Sequence, residues 1–393
     1  MGSKQSISMG RSILSVAMVA VGMTCAIAQM ANGGSVHKES GQAIISVLAQ
    51  SGTEMPRLEN AKLETRAVTG TLAATIRELA GKADKPEWVG YSVDEVAGEH
   101  NMCCGNYRDD GGCGTCRLEN DHGGTNGSTY TNGMVKLEGS QELVVLYRLE
   151  ARQVMRIRIA SNNCTLDAGG LSLVWLTGVK PAESVAFLET YVRAADFEGH
   201  GGGGRQPGRE ALTAIALHGD TSADRALESF VNPDQREELR RQAAFWMGAS
   251  RGKAGLNALL KMAKTDPSSD VRSHVAFALS VSHEPGALDE MIRMAHDDTS
   301  SHVRGQALFW LAQKAGKKAV GTITGAIEND PDTDVKKKAV FALSQLPKDE
   351  GVPKLIEVAQ TNRNAEVRKQ AMFWLGQSND PRALQFFERV LAQ

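Results

Sequence analysis

The chain lacks an excess of charge of either sign. Its 393 residues carry 44 Lys and Arg against 46 Asp and Glu, a net charge of −2 with a pI near 6.5. Affinity for nucleic acid rests largely on neutralising phosphates with cations, so no nucleic-acid partner is expected. Catalytic signatures are missing too. There is no GxSxG, no HExxH and no GxxxxGKS/T, and the glycines at 201–204 lack the strand–turn–helix setting that cradles a phosphate. No catalytic residue, metal site or cofactor is therefore assigned. Only the first residues hold a long apolar run, so no membrane span is expected after them.

That run, Ile13 to Ala28, follows Lys4 and Arg11 and ends on the small residues Ala26 and Ala28 before Gln29. Basic start, apolar centre and small-residue end make the pattern of an export signal. Sixteen residues fall short of the roughly 20 that span hydrocarbon comfortably. Residues 1–28 are expected to be a signal peptide rather than a retained anchor, with 29–57 a poorly ordered segment. Five cysteines then remain: Cys103, Cys104, Cys113, Cys116 and Cys164. In an oxidising compartment such a cluster is expected to form disulfides, and the pairing is open. A bridge from Cys164 to the 103–116 loop would pin that loop to the sheet beside it. Zinc held by Cys113, Cys116, Cys103 or Cys104, and His100 or Cys164, is the second reading, and a redox-active Cys113-Gly-Thr-Cys116 the third.

Residues 58–180 read as a Cys-rich α+β domain. AKLETRAVTG at 61 alternates as a strand does, TLAATIRELAG at 71 puts Leu72, Ile76 and Leu79 on one helical face and stops at Gly81, and EWVGYSVD at 87 is a second strand. ELVVLYRLE at 142 and VMRIRIAS at 154 form a hairpin. Met155, Ile157 and Ile159 face one way in it, and Arg156 and Arg158 the other, so one side of the sheet is expected to be wet. SLVWLTGV at 172 adds a strand, and ESVAFLETYVRAA at 183 is an amphipathic helix. A Gly-rich insertion occupies 199–208.

From residue 181 to 393 the polypeptide is a stack of helix pairs. LRRQAAFWMG, VRSHVAFALS, VRGQALFWLA, VKKKAVFALS and VRKQAMFWLG place Phe245, Phe277, Phe309, Phe341 and Phe373 at one interval of 32 residues. Between them Leu256, Leu288, Val320, Val352 and Leu384 mark companion helices at the same interval. A period of this length means stacked units that cannot bury their apolar faces alone. Arg240, Arg272, Arg304, Lys336 and Arg368 form a basic ladder, usually with an acid or neutral substitute two positions earlier. The residue after each Phe alternates as Trp246, Ala278, Trp310, Ala342 and Trp374, which suggests a true period of 64 and complementary packing.

Asp270-Val271-Arg272, His302-Val303-Arg304, Asp334-Val335-Lys336 and Glu366-Val367-Arg368 resemble HEAT repeats of the short bacterial, PBS-lyase-like type over roughly 209–392. The resemblance implies an all-α superhelical solenoid after the α+β domain, with the basic ladder tying neighbouring repeats together. It implies scaffold or adaptor roles as readily as lyase or hydroxylase ones, and the paired His-Glu metal motifs of the hydroxylase branch are not matched. The leading domain looks like that of secreted bacterial HEAT-repeat proteins and implies no activity.

On a wheel of 100° per residue, Val271, Val275 and Leu279 cluster while Phe277 points nearly opposite. If the first group faces the companion helix, the five Phe are expected to line the free face, which the resemblance to HEAT solenoids implies is the concave one. An exposed row of rings marks an interaction surface, unless the rings only stiffen the stack. The expectation is an exported protein, periplasmic or extracellular, that binds a protein partner without catalysis. The alternative makes the Cys-rich domain a metal-binding or redox module with the solenoid as support.

Overall fold

The computed structural model describes residues 55–98, 115–119, 142–197 and 207–392. The export segment, residues 29–54, Cys103, Cys104, Cys113 and most of the Gly-rich insertion lie outside the described residues. The elements are β1 (Leu58–Glu59), β2 (Lys62–Ala67), α1 (Leu72–Lys82), β3 (Glu87–Asp94), β4 (Thr115–Arg117), β5 (Glu142–Glu150), β6 (Gln153–Ser161), β7 (Thr165–Asp167) and β8 (Ser172–Thr177). Helices then follow without further strands. They are α2 (Pro181–Ala194), α3 (Pro207–Leu217), α4 (Ser222–Phe230), α5 (Glu237–Ser250), α6 (Gly252–Thr265), α7 (Ser269–Val281), α8 (Gly286–Asp297), α9 (Ser301–Ala315), α10 (Val320–Asn329), α11 (Thr333–Ser344), α12 (Lys348–Thr361), α13 (Ala365–Gln377) and α14 (Pro381–Leu391).

The five-stranded sheet has the order β2-β8-β3-β5-β6, parallel across β2, β8 and β3 and antiparallel through the β5–β6 hairpin. Strand alternation sends Val89, Tyr91, Tyr147, Ile157 and Ile159 to one face, where helices cover them. The other face is not wet, contrary to the sequence expectation. A second sheet, β1-β7-β4, lies over it and buries Trp88, Leu146, Ala160 and Trp175. Arg158 is only 1% exposed and donates to the Arg117 carbonyl at 3.0 Å. Glu119 ties the layers together, accepting from Trp88 Nε1 at 2.8 Å and from Arg148 at 3.1 Å. The covering strands are two or three residues long, too short to announce themselves by alternation.

Cys116 and Cys164 are both buried in this second layer. Cys116 is disulfide-bonded. Cys164 is present as a thiol with Asn163 Oδ1 at 4.0 Å, so the expected bridge from Cys164 to the 103–116 loop is not formed.

The apolar core runs without a break from the five-stranded sheet into the helices. At the junction the end of β3 pairs with the turn after α3: Val96 N donates to Leu217 O and Gly219 N to Asp94 O, each at 2.8 Å. Beneath it runs a dry relay of side chains. His218 Nδ1 faces the Ala214 carbonyl at 2.6 Å, which fixes the proton on Nδ1 and leaves Nε2 to accept from Ser184 Oγ at 2.8 Å. Ser184 Oγ in turn accepts from Tyr91, whose hydroxyl lies 2.9 Å from that of Tyr147. Burial pushes the His218 pKa down to about 4.

In the stack, α5, α7, α9, α11 and α13 pack closely side by side, while the companions α6, α8, α10, α12 and α14 touch far less. A buried small residue recurs every 32 positions, at Gly255, Ala287, Ala319, Gly351 and Ala383. A Cβ at Gly255 would sit 1.9 Å from the Met247 carbonyl oxygen, and one at Gly351 2.4 Å from that of Leu343, so the crossing there is set by backbone against backbone.

Register between pairs is held by the basic ladder, though not through the acids two positions earlier. Arg240, Arg272 and Arg304 each form a two-pronged ion pair with an aspartate 26 residues ahead: Asp266 (2.9 and 3.1 Å), Asp298 (2.9 and 3.0 Å) and Asp330 (2.7 and 3.0 Å). Each aspartate also accepts from a backbone N–H two residues on, closing the turn between repeats. Arg272 and Arg304 donate as well to the carbonyl of the aspartate in the preceding turn, at 2.9 Å. The ladder then stops. Lys336 Nζ reaches the Glu328 carbonyl instead, and Asn362 stands where a fourth aspartate would be.

These contacts make two outcomes measurable. The Arg240 and Asp266 side chains are 4% and 2% exposed, so Asp266→Ala strands a buried cation and should destabilise by about 3–5 kcal/mol, whereas Lys336→Arg with Asn362→Asp should extend the ladder and raise the urea midpoint. An unchanged midpoint in the first variant would remove the ladder's structural role. The second outcome concerns pH. The folded His218 pKa lies below the unfolded value of 6.5, so only the unfolded protein takes up a proton between those values. Stability present above pH 6.5 is thus lost as the pH falls toward 4, by about 3 kcal/mol for a shift of this size. His218→Gln should lose less stability than the parent over that range, and parallel curves would refute the assignment.

Candidate functional site

The Phe helices have three occupied sides. Val271, Val275 and Leu279 face the core, Arg272 enters the ladder, and Phe277 emerges on the side away from the companion helices. The rings are not hidden between the layers. Phe245, Phe277, Phe309 and Phe341 are half-buried and Phe373 is 54% exposed.

They are also not isolated from one another. Phe245 stacks on Phe277 with centroids 5.7 Å apart and planes 15° apart, and Phe309 on Phe341 at 5.7 Å and 4°. Trp310 bridges the two pairs, 4.6 Å from Phe277 and 4.9 Å from Phe309. Trp374 does the same between Phe341 (4.9 Å) and Phe373 (5.0 Å). With Trp246 against Phe245 at 5.1 Å, eight rings form one continuous strip. The alternation of Trp and Ala thus has a physical basis. Ala278 and Ala342 are buried, and Trp310 and Trp374 each fill the gap between one Phe pair and the next ring.

Polar rows flank the strip at fixed offsets from each Phe. Seven residues before it stand Glu238, Asp270, His302, Asp334 and Glu366, four before it Arg241, Ser273, Gly305, Lys337 and Lys369, and three before it Gln242, His274, Gln306, Lys338 and Gln370. The first two rows partly neutralise each other, through Arg241 with Glu238 and Lys337 with Asp334 at 2.9 Å. Burial, with Arg241 nearby, lowers the pKa of His274 and keeps it neutral near pH 7. Where α9, α11 and α13 meet, the rows and rings line a shallow, open groove of about 530 Å³. Its walls include His302, Lys338, Phe341, Gln370 and Trp374.

This arrangement offers apolar stacking, free carboxamides and cations, which suits binding. The positions Phe245 to Phe373 were legible from the period. The groove was not, because its residues come from three helices and no single repeat carries the set. Among the described residues no three His, Cys, Asp or Glu side chains gather as a metal site, and no helix is long and apolar enough to cross a membrane. His100, Cys103, Cys104 and Cys113 of the alternative zinc reading lie outside the described residues.

A comparison with curated proteins finds no match. Among solved structures, the protein is similar to the complex of CpcE and CpcF of phycocyanin lyase from Nostoc sp. PCC7120, at 22% identity over 39% of this chain and 99% of that one, with a TM-score of 0.31. It is similar also to human deoxyhypusine hydroxylase, at 16% identity over 53% and 90% of the two chains with a TM-score of 0.28. A Kap95p–RanGDP complex matches at 15% identity over 53% and 32%, with a TM-score of 0.34. The family of HEAT repeats matches residues 223–312 and 321–393. Taken with the paired helices and their 32-residue period, that match makes the C-terminal region of this protein a HEAT-repeat solenoid.

Proposed function

We propose that the protein is an exported, non-enzymatic scaffold that binds a protein segment on the inner face of its solenoid. One observation carries the reading: eight aromatic rings form a strip that the fold leaves open to solvent along one side of the Phe helices. Core burial and the ladder use the other sides of these helices, so folding does not need the strip exposed. Rings already held by their neighbours also lose little side-chain freedom on binding, which favours aromatic anchors at interfaces. Export rests on the basic-apolar-small pattern of residues 1–28 and on the disulfide at Cys116, which suits an oxidising compartment.

The other reading makes the Cys-containing part a metal-binding or redox module. Fewer residues support it, since Cys116 is committed to a disulfide and Cys164 is buried in the core. Phe277→Ser with Phe309→Ser should weaken capture of the partner in a cross-linking pull-down from the exported fraction at least about tenfold, as loss of aromatic anchors does. Helicity by circular dichroism should stay unchanged. Equal capture by the parent and the doubly substituted protein would rule out this face.

A further inference from the structure

We infer that the groove between α9, α11 and α13 is a carboxylate-reading pocket for an acidic, extended segment of a partner protein. The inference rests on the docking face proposed above and names what that face selects. Lys338 is the centre of the argument. Lys337 is paired with Asp334 at 2.9 Å, but among the described residues no carboxylate pairs with Lys338. The one acid lining the groove, Asp334, is the partner of Lys337, and on the α9 side His302 stands where the neighbouring repeats have Asp270 and Asp334. The groove thus holds one uncompensated ammonium beside two aromatic walls, Phe341 and Trp374.

The position of Lys338 is built into the backbone. A Cβ on Gly305 would lie 2.3 Å from Lys338 Cδ, so the lysine stem crosses α9 in the space that a side group at 305 would take. Glycine weakens a helix interior, and the same position holds Arg241, Ser273, Lys337 and Lys369 in the other repeats. Only at Gly305 does the helix give way to a neighbour's cation.

Gln306 and Gln370 flank Lys338 in the same row, and their side chains make no hydrogen bond among the described residues. A carboxamide offers one donor and one acceptor edge, which match the backbone carbonyl and N–H of an extended segment. A helix has spent those groups on itself. An Asp or Glu carboxylate at Lys338, an apolar neighbour against Phe341 and Trp374, and backbone hydrogen bonds to Gln370 make one consistent occupant.

The test pans a displayed library of random peptides, about 12 residues long, against the full-length protein. Enriched peptides should share an Asp or Glu beside an aromatic or aliphatic residue. Their affinity should fall at least about tenfold on Lys338→Met, which keeps the stem and removes the charge, and Glu→Gln or Asp→Gln in the peptide should cost nothing more on that variant. Lys369→Met should leave binding within about twofold. Peptides that lack an acid, or that bind Lys338→Met as well as the parent while failing on Phe309→Ser with Phe341→Ser, overturn the carboxylate pocket and leave the aromatic face standing. No enrichment, or peptides indifferent to all these variants, overturns both.

Discussion

The solenoid depends on one constraint: a pair of helices cannot bury its own apolar surface and must borrow a neighbour's. The last pair shows what borrowing supplies. Val340, Val352 and Ala359 are buried in the preceding repeat, while Met372, Leu384 and Leu391, one period later, are exposed, Leu391 by 85%. These residues occupy equivalent places, and among the described residues only the first set has a further pair packed over it. Burial is thus a property of the stack, and register between pairs becomes the quantity that must be protected.

Two devices protect it, and they act on different scales. Gly255 and Gly351 let the helices of their pairs meet backbone to backbone, which fixes those crossings sterically. The arginine forks act between pairs, each joining its own turn to the next through charged hydrogen bonds. Exposed ion pairs contribute little, but these are shielded and several of their remaining hydrogen bonds are made, the condition under which a buried pair sets geometry rather than costing stability. With both tasks assigned to other sides of the helix, the aromatic side is left without a structural duty that would require it to be buried.

The repeat was legible because period, apolar spacing and the Phe positions all recur within a short reach of sequence. The aspartates at 266, 298 and 330 recur just as regularly, yet they lie in turns 26 residues from their partners, whereas the acids at 270 and 334 stand beside the basic ladder and match a local pairing rule. The second sheet was not legible. Its strands pair Leu58 with Leu166 and Cys116 with Leu166, contacts far apart in sequence between segments too short to alternate. Arg158 followed from that omission: its alternation was right, and the layer that buries it was unseen. The relay from Tyr147 to His218 is equally nonlocal, since it joins β5, β3, α2 and the end of α3.

The 64-residue alternation gives the aromatic face a direction as well as a rhythm. Trp310 sits between Phe277 and Phe309 as Trp374 sits between Phe341 and Phe373, so the two junctions have the same ring geometry. Their polar surroundings differ. The place of Lys338 is taken at the first junction by His274, which burial keeps neutral, and the place of His302 by Glu238, which is committed to Arg241 and Gln242. One junction therefore offers a free cation and the other none. A segment lying along both would gain Coulomb energy in only one orientation, and apolar stacking alone, being nearly the same at each junction, could not make that choice.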